Sequence, residues 1–470
     1  MSVTLLSAID QLALLRQHKI SPLELAEEHI LRIERLNPSL NAFIEFDPER
    51  VRAQARRAAT GPLAGLPISL KVSIAARGYK CELGSVLRRG HISQHDSEAA
   101  AGLRAAGATL LGTTNCPELL MAYETDNLLY GKTSNPWNLD YSAGGSSGGE
   151  AAAIAAGMST CGLGSDSGGS VRQPAHACGI CSLKPTPGRV PARGHEPGCF
   201  GPFSILGVIG PMARTVSDVA LLFRVLARHD PLDPASAPVD LRPVSPEDAK
   251  HTPIGWFEDD GLAPVTEQTR AAVRAAAQSL ERQGFRVQPF RPQALEEARK
   301  LWWAFFVDCG AMFYSALIGT REGKREEELS PIFRDYLNTA RADAPLTAET
   351  LLTAWAECDR LRAQIMAEMQ QFPVLLLPVC AVPAFKHGER AWSVDGKEVQ
   401  YWDAMRYTQW FNLLGAPAAV VPVGQSPEGL PIGVQIAGRP YADELVLAVA
   451  AAVERDFGYR APPLAAQGKS

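Results

Sequence analysis

A chain of 470 residues with 46% hydrophobic and 21% charged side chains has the composition of an ordinary globular protein, long enough for one large core or two closely joined ones. Its formal charge of −5 comes from interspersed acids and bases, without the basic excess that a phosphate backbone demands, and this argues against a nucleic-acid partner. Nine cysteines, odd in number and scattered, read as reduced thiols, and no Lys or Arg precedes the apolar residues of Met1 to Ile9; both features predict a cytoplasmic location.

Two amphipathic helices are predicted between Thr4 and Arg57, the second restarted at Ser21-Pro22, a capping serine followed by a proline at the first helical position. Leu66 to Lys71 reads as a buried strand that carries one lysine inward. Ser97 to Ala106 is helical, Thr109 to Gly112 is a short strand, and Asn115 to Tyr130 holds a further helix and a loop, the alternation of an α/β sheet. A glycine-rich loop at Tyr141 to Gly149 leads into an alanine-rich helix, Glu150 to Met158. The strand Cys161 to Leu163 then runs into a second loop, Ser165 to Arg172. After a linker-like stretch from Pro231 to Pro253, helical periodicity covers Thr266 to Gln283, Gln293 to Ile318 and Thr347 to Gln371. Strands return at Val374 to Leu377 and Ala418 to Val423, so residues 257–372 are expected to form a helical insertion over a sheet that resumes afterwards. The apolar stretch Phe372 to Pro383 is broken by three prolines and is too short to span a bilayer.

The chemistry is expected in the two loops. Ala143-Gly-Gly-Ser146-Ser147-Gly-Gly149 can be a flexible turn or a phosphate-cradling loop, though the lysine of a Walker motif is absent. Gly144 to Gly148 also satisfies the short nucleophile-elbow pattern G-x-S-x-G, which would make Ser146 an attacking residue and require a downstream histidine such as His195, His229, His251 or His387. The second loop, Gly164-Ser-Asp166-Ser167-Gly168-Gly169-Ser170-Val-Arg172, sets a serine after two glycines whose N–H groups can line an oxyanion hole. A serine needs a base, and a buried lysine does that work when neutral. Cys178-x-x-Cys181 lacks a second pair at metal-ligand spacing and reads as packing, so metal binding is not expected, and a serine acyl-enzyme hydrolysed by water requires no metal or organic cofactor.

Taken together, Gly-Gly-Ser-Ser-Gly-Gly, Asp-Ser-Gly-Gly-Ser-Val-Arg and Cys178-Gly-Ile-Cys-Ser-Leu-Lys184-Pro-Thr resemble the amidase signature family, and the likeness extends to Leu66–Lys71, Asn135–Asn138, Gly210–Arg214 and Gly429–Gly438. The resemblance implies a single domain over 1–470 with an α/β/α fold and a mixed central sheet. It also implies a triad of Ser170 as nucleophile, Ser146 on a cis peptide as proton relay and Lys71 as base. Ser146 and Lys71 stand 24 and 99 positions before Ser170, as in fatty acid amide hydrolase. The N–H groups of Ser167, Gly168, Gly169 and Ser170 form the implied oxyanion hole. Asp166 and Arg172 are expected to pair beneath it, and Lys184 to be structural.

By the same resemblance the substrate is a small amide, anilide or carbamate, with urethanase activity on aryl carbamates included and a homodimer left open. Leu120, Tyr123, Thr125, Trp302 and Phe306 are assigned to substrate binding, the last two because the insertion carries more aromatic surface than a helix face needs. The alternatives are the esterase-like use of Ser146 and the glutaminase-type subunit of a tRNA-dependent amidotransferase. Against the latter, Leu329-Ser-Pro-Ile-Phe-Arg-Asp-Tyr336 stands where a Phe-Gly-x-Glu-Val motif is usual; separately, Val72 follows Lys71 where many family members have Asp, a departure that touches local hydrogen bonding and not the chemistry.

Overall fold

The computed structural model describes residues 2–57, 60–318, 325–342 and 346–466. Its strands, in chain order, are β1 (Phe43–Phe46), β2 (Pro67–Lys71), β3 (Thr109–Thr114), β4 (Ser134–Asn135), β5 (Asn138–Ser142), β6 (Cys161–Asp166), β7 (Cys181–Lys184), β8 (Val208–Ala213), β9 (Ile254–Trp256), β10 (Val287–Pro289), β11 (Val374–Pro378), β12 (Ala391–Val394), β13 (Lys397–Gln400), β14 (Ala418–Gln425) and β15 (Pro431–Gly438). Eleven of them form one sheet in the order β1-β3-β2-β6-β8-β7-β14-β15-β11-β9-β10, while β4 pairs with β5 and β12 with β13 in separate hairpins. The large sheet is mixed: β2 runs parallel to β3 and β6, and the centre from β6 to β15 is antiparallel.

Strands covered on both faces read as continuous apolar runs, and β2 and β11 are buried at every position. Alternation then separates their side chains. Ile68 and Leu70 of β2 enter a core with Val219, Val273 and Val446, supplied by the helices Val216–Leu226, Glu267–Arg282 and Asp443–Phe457. Ser69 of β2 instead bonds Glu150 on the helix Gly148–Ala155, which packs with the helix Pro22–Leu40 on the opposite face, completing the α/β/α layering. The helix start read at Ser21-Pro22 is a capping box, with Ser21 and Glu24 satisfying each other's backbone N–H groups, a contribution of about 1 kcal/mol.

The structure departs from the expected elements in three places. The first 57 residues hold β1 and a third helix, Pro48–Ala55, besides the expected two helices and an opening 3₁₀ turn. Asn115 to Tyr130 contains only the 3₁₀ turn Glu118–Leu120, broken by Leu119 at φ +50°. Segment 257–372 is not wholly an insertion: the helix Glu267–Arg282 turns Val273, Ala276 and Leu280 onto the sheet, and β10 is a sheet strand too short for periodicity to show. The covering helices are Leu295–Trp303, Gly310–Ile318, Pro331–Ala342 and Ala348–Glu368, with a π-helical turn, Ala304–Cys309, between the first two. Trp302, Phe305, Phe306 and Phe333 of this layer join Phe203 and Trp410 in one apolar cluster. Among the described residues the run Leu295–Ile318 is long and apolar enough to cross a membrane by composition, and it is the face bearing Trp302, Phe305 and Phe306 that packs inward.

Candidate active site

β2 ends at Lys71, whose side chain is fully buried. Its Nζ donates to Ser146 Oγ at 2.7 Å and to Ser165 Oγ at 3.0 Å. Burial pushes the ammonium down to about 8, against the opposing charges of Cys116, Asp166 and Glu150, so the amine is neutral above about pH 8 and a minor neutral fraction is available as a base at physiological pH. Ser146 follows a cis peptide bond from Gly145 and precedes the helix Gly148–Ala155. The loop that presents it is tied down by Gln173, which accepts from the Gly145 N–H at 3.0 Å, and by Thr125, which donates to the Gly144 carbonyl at 2.8 Å and accepts from the Gly148 N–H at 3.1 Å. Ser147 turns away from the lysine: its N–H donates to the Ser170 carbonyl at 3.1 Å and its hydroxyl lies against the Ser165 backbone.

The second loop leaves β6 at Asp166, which organises it. The Asp166 carboxylate accepts from the N–H groups of Gly169 at 2.8 Å and Val171 at 3.1 Å, and it binds Arg172 through both oxygens at 2.8 and 3.0 Å, the two side chains being fully buried. Burial alone would raise this carboxyl, but the Arg172 guanidinium overrides it and holds Asp166 well below the usual carboxylate range. Arg172 is bonded in turn to Gln435 at 2.7 Å and Asn412 at 2.5 Å, so helix, loop and β15 lock together. The expected pairing of Asp166 with Arg172 is present. Gly169 sits at φ +132°, and a Cβ there would collide with Thr408, which explains the glycine.

One consequence narrows the implied oxyanion hole. The Gly169 N–H already donates to Asp166, whereas those of Ser167, Gly168 and Ser170 donate to no group among the described residues. The carbonyls of this loop are also held, Ser167 O by Trp302 Nε1 at 2.9 Å and Gly168 O by Tyr123 Oη at 2.8 Å and Thr408 Oγ1 at 2.6 Å.

Ser146, Ser165, Ser167 and Ser170 line one cleft, open at its mouth. Ser170 Oγ makes no hydrogen bond to Ser146 Oγ among the described residues, a contact that catalytic groups commonly tighten only around substrate. Of the five residues assigned to substrate binding, Leu120 and Phe306 line this cleft. Tyr123, Thr125 and Trp302 do not: their polar atoms brace the two loops, because a buried hydroxyl or indole N–H needs a partner and the nearest acceptors are loop carbonyls. The rest of the wall includes Phe313 and Tyr314, from the aromatic-rich segment expected near the substrate, and Met121, Phe203, His195 and Cys199, which sequence reasoning did not single out for this role. His195 Nδ1 lies 2.9 Å from the Pro197 carbonyl, so that nitrogen carries the proton, and burial holds the ring down to about 4 and therefore neutral. It forms no hydrogen bond with either serine among the described residues. Lys184 is buried away from the cleft with its Nζ on the Pro185 carbonyl at 2.9 Å, and Cys178 and Cys181 belong to packing clusters on opposite sides of the sheet.

Comparison with known proteins places the whole chain in a family. The family description Amidase matches residues 24–447. The chain is 33% identical over 468 residues to the indoleacetamide hydrolase of Bradyrhizobium diazoefficiens, covering 96% of this chain and 86% of that one. It is 34% identical over 470 residues to a glutamyl-tRNA(Gln) amidotransferase subunit from a Synechococcus strain, covering 94% and 90%. Among solved structures, 6-aminohexanoate cyclic dimer hydrolase complexed with substrate superposes with a TM-score of 0.87 at 29% identity, covering 98% of this chain and 99% of that one. The chain belongs to the amidase signature family, and it is a hydrolase of that family acting on amide C–N bonds.

Proposed function

We propose that the protein hydrolyses uncharged amides with an aromatic or bulky apolar group, and carbamates and anilides of the same shape, through an acyl- or carbamoyl-enzyme on Ser170. The observation that carries the mechanism is the fully buried Lys71 with its Nζ 2.7 Å from Ser146 Oγ, in a cleft that Ser146 and Ser170 both line. Neutral Lys71 takes the Ser146 proton as Ser146 takes that of Ser170, and Ser170 Oγ attacks the carbonyl carbon. The carbonyl oxygen becomes an oxyanion facing the N–H groups of Ser167, Gly168 and Ser170. Ser146 returns the proton to the leaving nitrogen as the C–N bond breaks, and a water then repeats the sequence to release the acid. These steps balance with the protein's own groups and a water.

The lining supports the substrate class. Phe203, Phe306, Phe313 and Tyr314 form an apolar wall, and no Asp, Glu, Lys or Arg lines the cleft among the described residues. A free glutamine would bring its ammonium and carboxylate into that wall without partners, at a cost of several kcal/mol, which weighs against the glutaminase-type reading. An uncharged aryl amide, the kind of substrate named for the indoleacetamide hydrolase relative, meets no such cost. The nine unpaired cysteines support a cytoplasmic enzyme.

Phe313 is 38% exposed at the cleft, so truncating it tests specificity with little effect on stability. Phe313→Ala is expected to lower kcat/KM for phenylacetamide by about 10-fold while leaving acetamide within about 2-fold, since burying an aromatic ring is worth about 1.5–3 kcal/mol. Equal losses on the two amides, or efficient turnover of glutamine by the wild type, would overturn the substrate assignment. The pH dependence follows from Lys71. The base acts only when neutral, so kcat/KM rises with pH through a limb near 8 and levels off above it. A profile flat from pH 6 to 10 would remove Lys71 from the role.

A further inference from the structure

We propose that Glu150 is the charge partner of Lys71, a positioning residue whose buried carboxylate stabilises the lysine ammonium formed when the base takes its proton. The inference rests on the reading of Lys71 as the base. Glu150 lies in the first turn of the helix that starts just after Ser146, where an acidic residue ordinarily faces solvent. Here it is fully buried. Its Oε1 accepts from Ser69 Oγ at 2.5 Å and its Oε2 from Thr114 Oγ1 at 2.7 Å. Ser69 shares a strand face with Lys71 two residues on, and Thr114 is the residue paired with Lys71 across β2 and β3. The carboxyl is therefore clamped over the two backbone positions that flank the base. β6 makes room for it at Gly162, where an added Cβ would run into Glu150 Oε1.

Asp166 and Cys116 also pull on the Lys71 ammonium, but neither is a carboxylate free of a cation partner. Asp166, on β6, is neutralised by its ion pair with Arg172. The Cys116 thiol, beyond β3, is pushed up to about 12 by burial and stays protonated, and His195, on the loop across the cleft, is neutral. Glu150 makes no ion pair among the described residues and holds two hydroxyls instead. Burial raises its carboxyl to about 7, against those hydroxyls and the charge of Lys71, and the thiol of Cys161 on β6, which also faces it, is held protonated by burial. A lone carboxylate in a dry site favours the charged lysine, so it moves the base toward higher pH and strengthens it as a proton acceptor. Glu150 does not line the cleft, so this acts on the proton and not on substrate affinity.

The test is the pH profile of kcat/KM, and of Ser170 sulfonylation by an arylsulfonyl fluoride, for wild type, Glu150→Gln and Lys71→Met. Glu150→Gln is expected to move the acid limb down by about one pH unit and to lower kcat on the plateau, with KM within about 2-fold. An unmoved limb, a limb moved upward, or a KM rising in step with the loss would overturn the proposal. The Lys71→Met profile separates this from the underlying reading. A limb that persists there overturns Lys71 as base, whereas a limb lost there and unmoved in Glu150→Gln overturns only the role of Glu150. Should Glu150→Gln not fold, Thr114→Val removes one hydroxyl from the carboxylate, disfavours its ionisation and must move the limb down by a smaller amount; no movement in Thr114→Val is equally decisive against the proposal.

Discussion

Replacing Ser170 with alanine is expected to lower kcat/KM for amide substrates by on the order of 10⁴-fold or more, because the group that forms the covalent intermediate is lost while the cleft is not. Ser170 is partly exposed on a loop held by Asp166, Arg172, Tyr123 and Trp302, and none of these contacts uses its hydroxyl. The variant should therefore fold as the wild type does and bind substrate with similar affinity, which equilibrium binding of an amide would show. The residual rate reflects what the N–H groups of Ser167 and Gly168 and the cleft walls do without a nucleophile. A loss of less than about 10-fold in steady-state assays would mean that another group attacks.

The second large effect lies in stability. Arg172→Met removes a guanidinium that makes two bonds to Asp166 and one each to Thr408, Asn412 and Gln435, leaving a carboxylate with no cation in a fully buried site. Breaking a buried pair from one side costs about 3–5 kcal/mol, which urea denaturation would register as a lower midpoint. Arg172→Lys is expected to recover little of it, since an ammonium cannot reproduce the two-point grip on Asp166 or the further bonds to Asn412 and Gln435. Because Asp166 also accepts from the Gly169 and Val171 N–H groups, activity should fall in the surviving folded fraction, as the donors of Ser167, Gly168 and Ser170 lose their orientation. A midpoint within error of wild type would show that the pair contributes nothing net.

These two positions were legible before any coordinates because their signals are local. Two glycine clusters, each ending on a serine, and a lysine closing an apolar run are patterns that a few adjacent residues carry, and the Asp166–Arg172 pair is six residues apart. An α/β sheet was legible for a similar reason, since the strands that flank the site are short buried runs set between periodic helices, whereas the α/β/α layering was implied by the family resemblance. What stayed hidden depends on residues distant in the chain. Tyr123 and Thr125 are assigned to substrate by the family resemblance, and Trp302 by the aromatic surface of its segment. Their hydroxyls and indole N–H are claimed by loop carbonyls that only the folded chain brings within reach. Glu150 reads as an ordinary first-turn acid, and its burial depends on Ser69, Thr114 and the missing side chain of Gly162 on three other strands. The cleft wall contributed by His195, Cys199 and Phe203 comes from a loop and the four-residue helix Phe203–Leu206 that follows it, too short for periodicity to read, and β9 and β10 are three residues each, below what alternation can reveal.

The most direct test of the account is to find where the acyl group sits. Wild-type protein quenched during turnover of an aryl amide or aryl carbamate ester should carry the acyl or carbamoyl mass on the peptide containing Ser170. The adduct should be absent in Ser170→Ala and form far more slowly in Lys71→Met. An adduct mapped to Ser146, or one that persists in Ser170→Ala, would contradict the assignment and make Ser146 the attacking residue.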